Sequence, residues 1–252
     1  SIFRYKCLYL YFNGGCLRSS IVLWRLEPFF LRLAGIKIVV MPYGGDVSKL
    51  DRTPNLYYRH ALVMDYPLYK FRNTIIEKQI ELWSEYSHHV IAGCDWVDYM
   101  HHWDTLMVSH FSIDVNMCRS GEKRKLKNNK TFRILHAPNH RLIKGTSFII
   151  EAVEALQDEG EDVELKLLEK VSNEVVLSEI QKADLVIDQL VIGWYAMFTI
   201  ESLCLGTPVV CYLREDLLDL YKTANLLKED EPPIINSSPK SLINDLRNVL
   251  HD

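Results

Sequence analysis

The chain has 252 residues, 48% of them apolar and 25% charged, with a net charge of -4. This is globular composition, which excludes a disordered or fibrous chain, and the small net charge argues against a nucleic-acid partner for the chain as a whole. No apolar run reaches the roughly 18–20 residues of a membrane-spanning helix, and the length suits two domains of about 100–150 residues each.

The six cysteines (Cys7, Cys16, Cys94, Cys118, Cys204, Cys211) are scattered without a C-x-x-C pair. That pattern fits a reducing cytosol, so a cytoplasmic protein is expected. Ser1 is not a methionine, and "CLYLYF" reads as a strand already inside a domain. The chain is therefore expected to lack its natural N-terminus.

Residues 1–50 hold seven basic side chains against two acidic ones. Within them "LRSSIVLWRLEPFFLRL" mixes Arg with Trp24, Phe29, Phe30 and many Leu. An amphipathic helix packed on its own sheet is the leading reading; a peripheral membrane contact through this basic helix, on the cytoplasmic face, is the other. Strands are expected at "CLYLYF", "KIVVMP" and "HVIAGC". A helix is expected over "FRNTIIEKQIELWSEYS", where Ile76, Ile80, Trp83 and Ser87 trace one face. In "MPYGGDV" a strand ends at Gly44, Gly45 and Asp46, which make either a ligand-facing loop or a plain turn. His88-His89 and His101-His102 have no carboxylate or cysteine at ligand spacing and read as boundary and surface residues rather than a metal site.

Residues 116–131, "NMCRSGEKRKLKNNKT", are basic and almost free of large apolar side chains, as a linker is. Beyond them the alternation of strand and helix resumes. Strands are expected at "FRILHAP", "DVELKLL", "LVIDQL" and "PVVCYL". The helices between and after them are "GTSFIIEAVEALQDEG", "NEVVLSEIQKA" with Asn173 as N-cap, a short one from Ala196 or Met197 to Gly206, and "SPKSLINDLRNVL" with Ser238 as N-cap and Pro239 at N1. This is the pattern of parallel sheets covered by helices. No G-x-G-x-x-G, Walker loop or G-x-S-x-G elbow is present, which removes support for hydride transfer, P-loop hydrolysis and esterase chemistry.

Open α/β sheets bind ligands beyond the carboxyl ends of their strands, and two such places carry chemistry. In "HAPNHRLIKGT" a strand runs into a loop with His140, Arg141 and Lys144, and Gly145 with Thr146 opens a helix: cations beside a helix N-terminus suit a phosphate. In "LVIDQLVIGWYAMFTIESLCLG" the helix carries one acid, Glu201, among apolar residues, where a ligand hydroxyl would be a fitting partner.

From "RILHAPNHRLIKGTSFIIEAVEAL" through "KADLVIDQLVIGWYAMFTIESLCLGTPVVCYL" the chain resembles the C-terminal domain of retaining glycosyltransferases of the two-Rossmann GT-B type, the group-1 or family-4 class. Residues 1–115, with "AGIKIVVMPYGGDV", "SHHVIAGCDWV" and "HFSIDV", look like the later part of that family's N-terminal domain. The resemblance implies an α/β fold of two Rossmann-like domains, the N-terminal one incomplete: an acceptor-side domain over 1–115, a linker over 116–131 and a nucleotide-sugar domain over 132–252. It implies transfer of a sugar, with retention, from a nucleoside-diphosphate sugar to a glycan, lipid-linked or small-molecule acceptor. Lys144 matches the lysine that neutralises the donor diphosphate, and Glu201 the second glutamate of the E-x7-E motif, which accepts from ribose hydroxyls. Tyr195, Ala196 and Met197 stand where the family has a phosphate-binding loop. The expected donor-binding set extends through Phe198 and Thr199 and takes in His140, Arg141 and Gly145, with Gly44, Gly45 and Asp46 at the cleft end of the first domain. No cofactor or metal is expected, because Lys144, Arg141 and the helix N-termini carry the phosphate charge. Gly193 stands where the family has its first glutamate, Asn139 where it has an arginine, and Tyr43-Gly44 where many members have His-Gly. A non-catalytic nucleotide-sugar-binding relative is the alternative that Gly193 leaves open. An isomerase on the same architecture would draw on Asp46, Asp95 and Asp188, which form no evident pair in the sequence.

Overall fold

A computed structural model describes residues 4–116 and 131–251. The chain divides into two compact units, Ser1–His110 and Phe111–Asp252. The linker expected over 116–131 lies, but for its two end residues, outside the described residues.

The first unit is built on a parallel sheet of β1 (Cys7–Tyr11), β2 (Lys37–Met41), β3 (His89–Gly93) and β4 (Thr105–Met107), in the order β1-β2-β3-β4. Ile38 and Val40 alternate into the core along β2, and Val90, Ile91 and Ala92 are buried on both faces of β3, as the interior of a parallel sheet demands. Helix α1 spans Glu27–Leu33, α2 Leu56–Asp65 and α3 Asn73–Tyr86. On α3, Ile76, Ile80 and Trp83 are buried at the expected helical spacing. The sequence pattern missed α2 because only Tyr58, Ala61 and Leu62 are buried on it. What starts it is Asn55, whose side-chain oxygen accepts the N–H groups of Tyr57 and Tyr58 at 2.9 and 3.1 Å.

The continuous basic helix expected over 17–33 is corrected: the stretch is a turn, a 3-10 segment (Leu23–Arg25) and the seven-residue α1. Ser20 explains the break. Its hydroxyl donates to Leu17 O at 2.7 Å and accepts the Trp24 N–H at 2.9 Å, a local alternative to helical bonding. Helix α1 can begin only where Pro28 needs no donor of its own, in the first turn. Beside it the buried Glu27 accepts the N–H groups of Gly15 and Leu17 at 3.0 and 3.1 Å, tying the glycine turn after β1 to the helix.

The second unit is a five-stranded parallel sheet in the order β6-β5-β7-β8-β9, from β5 (Phe132–His136), β6 (Val163–Leu167), β7 (Leu185–Ile187), β8 (Val209–Cys211) and β9 (Ile235–Asn236). Its described helices are α4 (Arg141–Lys144), α5 (Thr146–Asp158), α6 (Asn173–Ile180), α7 (Met197–Cys204), α8 (Glu215–Thr223) and α9 (Leu242–His251). Ile134, Leu185, Ile187 and Val210 from the strands meet Ile149, Val153 and Leu156 of α5 and Leu242 and Leu246 of α9 in one core. Complete burial of β7 and β8 accounts for their uninterrupted apolar sequence.

Three local expectations are corrected here. The loop after β5 contains the single helical turn α4. Ser172 rather than Asn173 holds the N-cap position of α6. The last helix begins at Leu242, four residues after Ser238, because Ser238 and Ser241 first close a turn in which the N–H groups of Ser241 and Leu242 both reach Ser238 O.

Candidate functional site

The strand order places a topological switch point in the second unit. From β5 the chain steps to β6 on one side, and β7 lies on the other, so the connections diverge at the carboxyl ends of β5 and β7. A crevice there is the expected ligand site of an open α/β sheet. A cleft of about 420 Å³ is lined by Ala137 and Asn139 after β5, Lys144 at the end of α4, Asn173 and Val176 of α6, and Ala196, Met197, Phe198 and Glu201 at the start of α7.

Lys144 reaches this cleft because α4 stops at once. Gly145 takes a left-handed conformation (φ 76°), and a Cβ there would meet Val191 Cγ2 at 3.1 Å and Leu190 Cβ at 3.3 Å. The carbonyl of Lys144 accepts the Leu190 N–H at 3.1 Å, which ties α4 to the loop beyond β7. The ammonium is not a bare cation: it donates to Asp188 Oδ1 and to Gln189 Oε1, both at 2.7 Å. Asp188 is buried, and its other oxygen accepts the Ala196 N–H at 3.1 Å and the Thr199 hydroxyl at 2.8 Å, capping the start of α7. Burial works against ionising Asp188, but Lys144 and the bonds from Thr199 and Ala196 outweigh it and hold the carboxyl below its ordinary range. Gln189 completes the floor by donating through Nε2 to Trp194 O.

Beneath this floor His136, the last residue of β5, bonds through Nδ1 to Ile187 O at 2.8 Å and through Nε2 to Thr146 Oγ1 at 3.0 Å. The carbonyl can only accept, so Nδ1 carries the proton and Nε2 receives the threonine hydroxyl. Burial lowers this histidine to about 4, so it is neutral at pH 7.

Glu201 is half-buried rather than buried, and it opens on the same cleft, where its Oε1 accepts the Asn173 side-chain amide at 3.2 Å. A smaller recess of about 220 Å³ shares Asn173, Met197 and Glu201 and runs on to Leu177 and Leu205. Of the residues the sequence suggested, Lys144, Ala196, Met197, Phe198 and Glu201 are thus brought together. Thr199 lies under the floor on Asp188, and Gly145 shapes the turn. His140 precedes α4, and Tyr195 stacks on Trp194 with ring centroids 5.2 Å apart. Arg141 points to solvent, forms a bidentate pair with Glu169 (2.8 and 2.6 Å) and is not among the residues lining the cleft. Gly44, Gly45 and Asp46 belong to the first unit. There the buried Asp46 accepts the N–H groups of Phe12, Tyr43 and Gly44 at 3.0, 3.0 and 3.1 Å, and so holds a closed turn.

Gly193 has a structural reason of its own. It is left-handed (φ 102°), and a Cβ would stand 2.6 Å from both Cγ and Cδ of Arg214, whose N–H donates to Gly193 O at 2.9 Å. A glutamate could not replace it without moving Arg214. Sequence reasoning weighed Asp188 only as an acid or base and overlooked Gln189 altogether; the signal was present in "LVIDQL", where a charge and an amide interrupt an otherwise apolar run that must be buried.

No family model matches the chain, and no curated protein sequence matches it. Solved structures do. An alpha-glucosyltransferase in complex with UDP-glucose and DNA containing an abasic site superposes with a TM-score of 0.55 at 11% identity, over 98% of this chain and 71% of that one. A GtfA/B complex gives a TM-score of 0.55 at 8% identity, over 98% of this chain and 50% of that one. The fold is therefore that of the GT-B glycosyltransferases, two Rossmann-like α/β units. The chain spans 71% and 50% of the length of these two proteins.

Proposed function

We propose that the protein is a retaining glycosyltransferase, moving a sugar from a nucleoside-diphosphate sugar to a glycan, lipid-linked or small-molecule acceptor. The observation that carries this reading is the gathering of Lys144 and Glu201 on one cleft at the switch point of the second unit. The diphosphate lies against the Lys144 ammonium and the free end of α7. Since Asp188 occupies the Ala196 N–H, the next donors, Met197 and Phe198, face the phosphates. These fixed positive groups stabilise the charge that develops on the departing nucleoside diphosphate. Glu201 accepts from the ribose hydroxyls, held in orientation by Asn173. Lys144 and the helix end supply the counter-charge, so the reading calls for no metal.

The lipid-linked acceptor and a place on the cytoplasmic face of a membrane draw support from the first unit. Ile21 is 92% exposed and Leu33 70%, with Phe29 and Phe30 exposed between them and Arg18, Arg25 and Arg32 alongside. No helix among the described residues is long and apolar enough to cross a membrane.

The test is NMR analysis of reactions with a panel of nucleotide sugars and glycan or lipid-linked acceptors. Transfer with the anomeric configuration of the donor is expected. Donor binding with neither transfer nor hydrolysis across the panel would replace the enzyme by a binding module, and an epimerised donor without acceptor would replace it by an isomerase.

A further inference from the structure

A buried ion pair contributes little to stability compared with a well-packed apolar pair of the same size, so its presence calls for a reason other than packing. Lys144 and Asp188 form such a pair. The lysine side chain is 11% exposed and the aspartate fully enclosed. The ammonium has three N–H groups. One goes to Asp188, one to Gln189, and the side chain is at the same time part of the cleft wall. The remaining N–H is left for whatever enters the cleft. A lysine on a four-carbon stem has many rotamers to lose, and two acceptors at 2.7 Å remove most of that freedom before a ligand arrives. The second oxygen of Asp188 fixes the first turn of α7 through Ala196 N–H and Thr199. One carboxylate therefore sets the lysine and the helix end in register with each other.

We propose that Asp188 is the positioning residue of the anion site: it acts on the diphosphate of the ligand through Lys144, whose third N–H it aims into the cleft. The inference rests on the donor reading above. It assigns to Asp188 a role in diphosphate recognition rather than the acid or base role that an isomerase would require. It also makes recognition depend on the orientation of the Lys144 ammonium as well as on the positive charge that it and the end of α7 present.

Calorimetric titration with UDP, GDP and ADP, and competition with the corresponding nucleosides, tests this. In Asp188→Asn the preferred nucleoside diphosphate is expected to bind about tenfold more weakly, while the nucleoside changes by less than about twofold. In the Lys144→Ala background, Asp188→Leu is expected to cost no more than about threefold further. That double variant carries no unpaired buried charge and serves also if the single variant does not fold. Unchanged or tighter diphosphate binding in Asp188→Asn would overturn the proposal, the latter by showing the carboxylate to be a competitor of the phosphate. So would equal losses for diphosphate and nucleoside, or a further tenfold loss in the Lys144→Ala background. Absence of binding by the unaltered protein to any of the three diphosphates would instead remove the donor reading itself, and this inference with it.

Discussion

Each unit has a fully enclosed aspartate beyond a strand's carboxyl end, Asp46 in the first and Asp188 in the second, and the two behave oppositely. Asp46 in the first unit is hydrogen-bonded by backbone N–H groups and by no cation, and burial pushes its carboxyl up to about 6 against their pull. Asp188 in the second unit is enclosed as thoroughly, but Lys144 stands 2.7 Å away and its carboxyl falls below the ordinary range. One cation reverses the sign. The sheets differ in the same sense: β1 to β4 follow one another in simple order, whereas β6-β5-β7-β8-β9 reverses direction and opens a crevice. An aspartate that closes a turn and an aspartate that supports a cleft differ in what faces them.

Removing the cation's partner is the strongest way to break this contrast. Asp188→Ala strands the Lys144 ammonium in a largely dry site and is expected to destabilise the second unit by about 3–5 kcal/mol in denaturant titrations. Asp46→Asn leaves no charge unpaired and is expected to cost clearly less. A loss in the first unit as large as that in the second would erase the distinction.

The pH dependence sharpens it. His136 is depressed from 6.5 to about 4, so its contribution is complete above pH 6.5 and is lost as the pH falls toward 4, roughly 3 kcal/mol in all. Asp46 is raised from 3.8 to about 6, so its contribution is complete below pH 3.8 and is lost as the pH rises through 6, again roughly 3 kcal/mol. In the first unit His110, lowered to about 4 by burial, opposes Asp46 in part. Unfolding followed by probes specific to each unit should therefore show the second gaining stability between pH 4 and 6.5 more steeply than the first. His136→Gln should flatten the curve of the second unit and leave the first unchanged.

A smaller effect tests the loop between β7 and α7. Gly193→Ala forces a side chain into a left-handed position against Arg214 and is expected to cost about 1–3 kcal/mol. Combining it with Arg214→Ala should recover part of that loss, since the shortened side chain no longer occupies the place of the new Cβ. No recovery would assign the whole cost to the backbone.

Much of the fold was legible because its signals are local. The apolar runs of β2, β3, β5 and β8 and the Ile76, Ile80, Trp83 stripe of α3 need nothing beyond their own neighbourhood to be read. What escaped depends on length or on partners far along the chain. Strands β4 and β9 have three and two residues, too few for a period. The break in the 17–33 stretch hangs on one serine and on Glu27, whose acceptors face the turn after β1. In the candidate site, Lys144 and Glu201 stood out as charges at the ends of apolar elements. The pairing of Lys144 with Asp188, 44 residues later, could not be read from spacing, because only the parallel registry of β5 with β7 brings them together. The same holds for Asn173 and Glu201, which meet across 28 residues.

The measurement closest to the central claim is the affinity of a nucleoside diphosphate for the unaltered protein, for Lys144→Ala and for Glu201→Ala, by calorimetry with the folded state of each verified. The account predicts one site, with affinity lowered about tenfold or more in each variant, as charge-assisted bonds of roughly 1.5–3 kcal/mol require. Equal affinity in all three proteins would show that the nucleotide does not occupy the switch-point cleft.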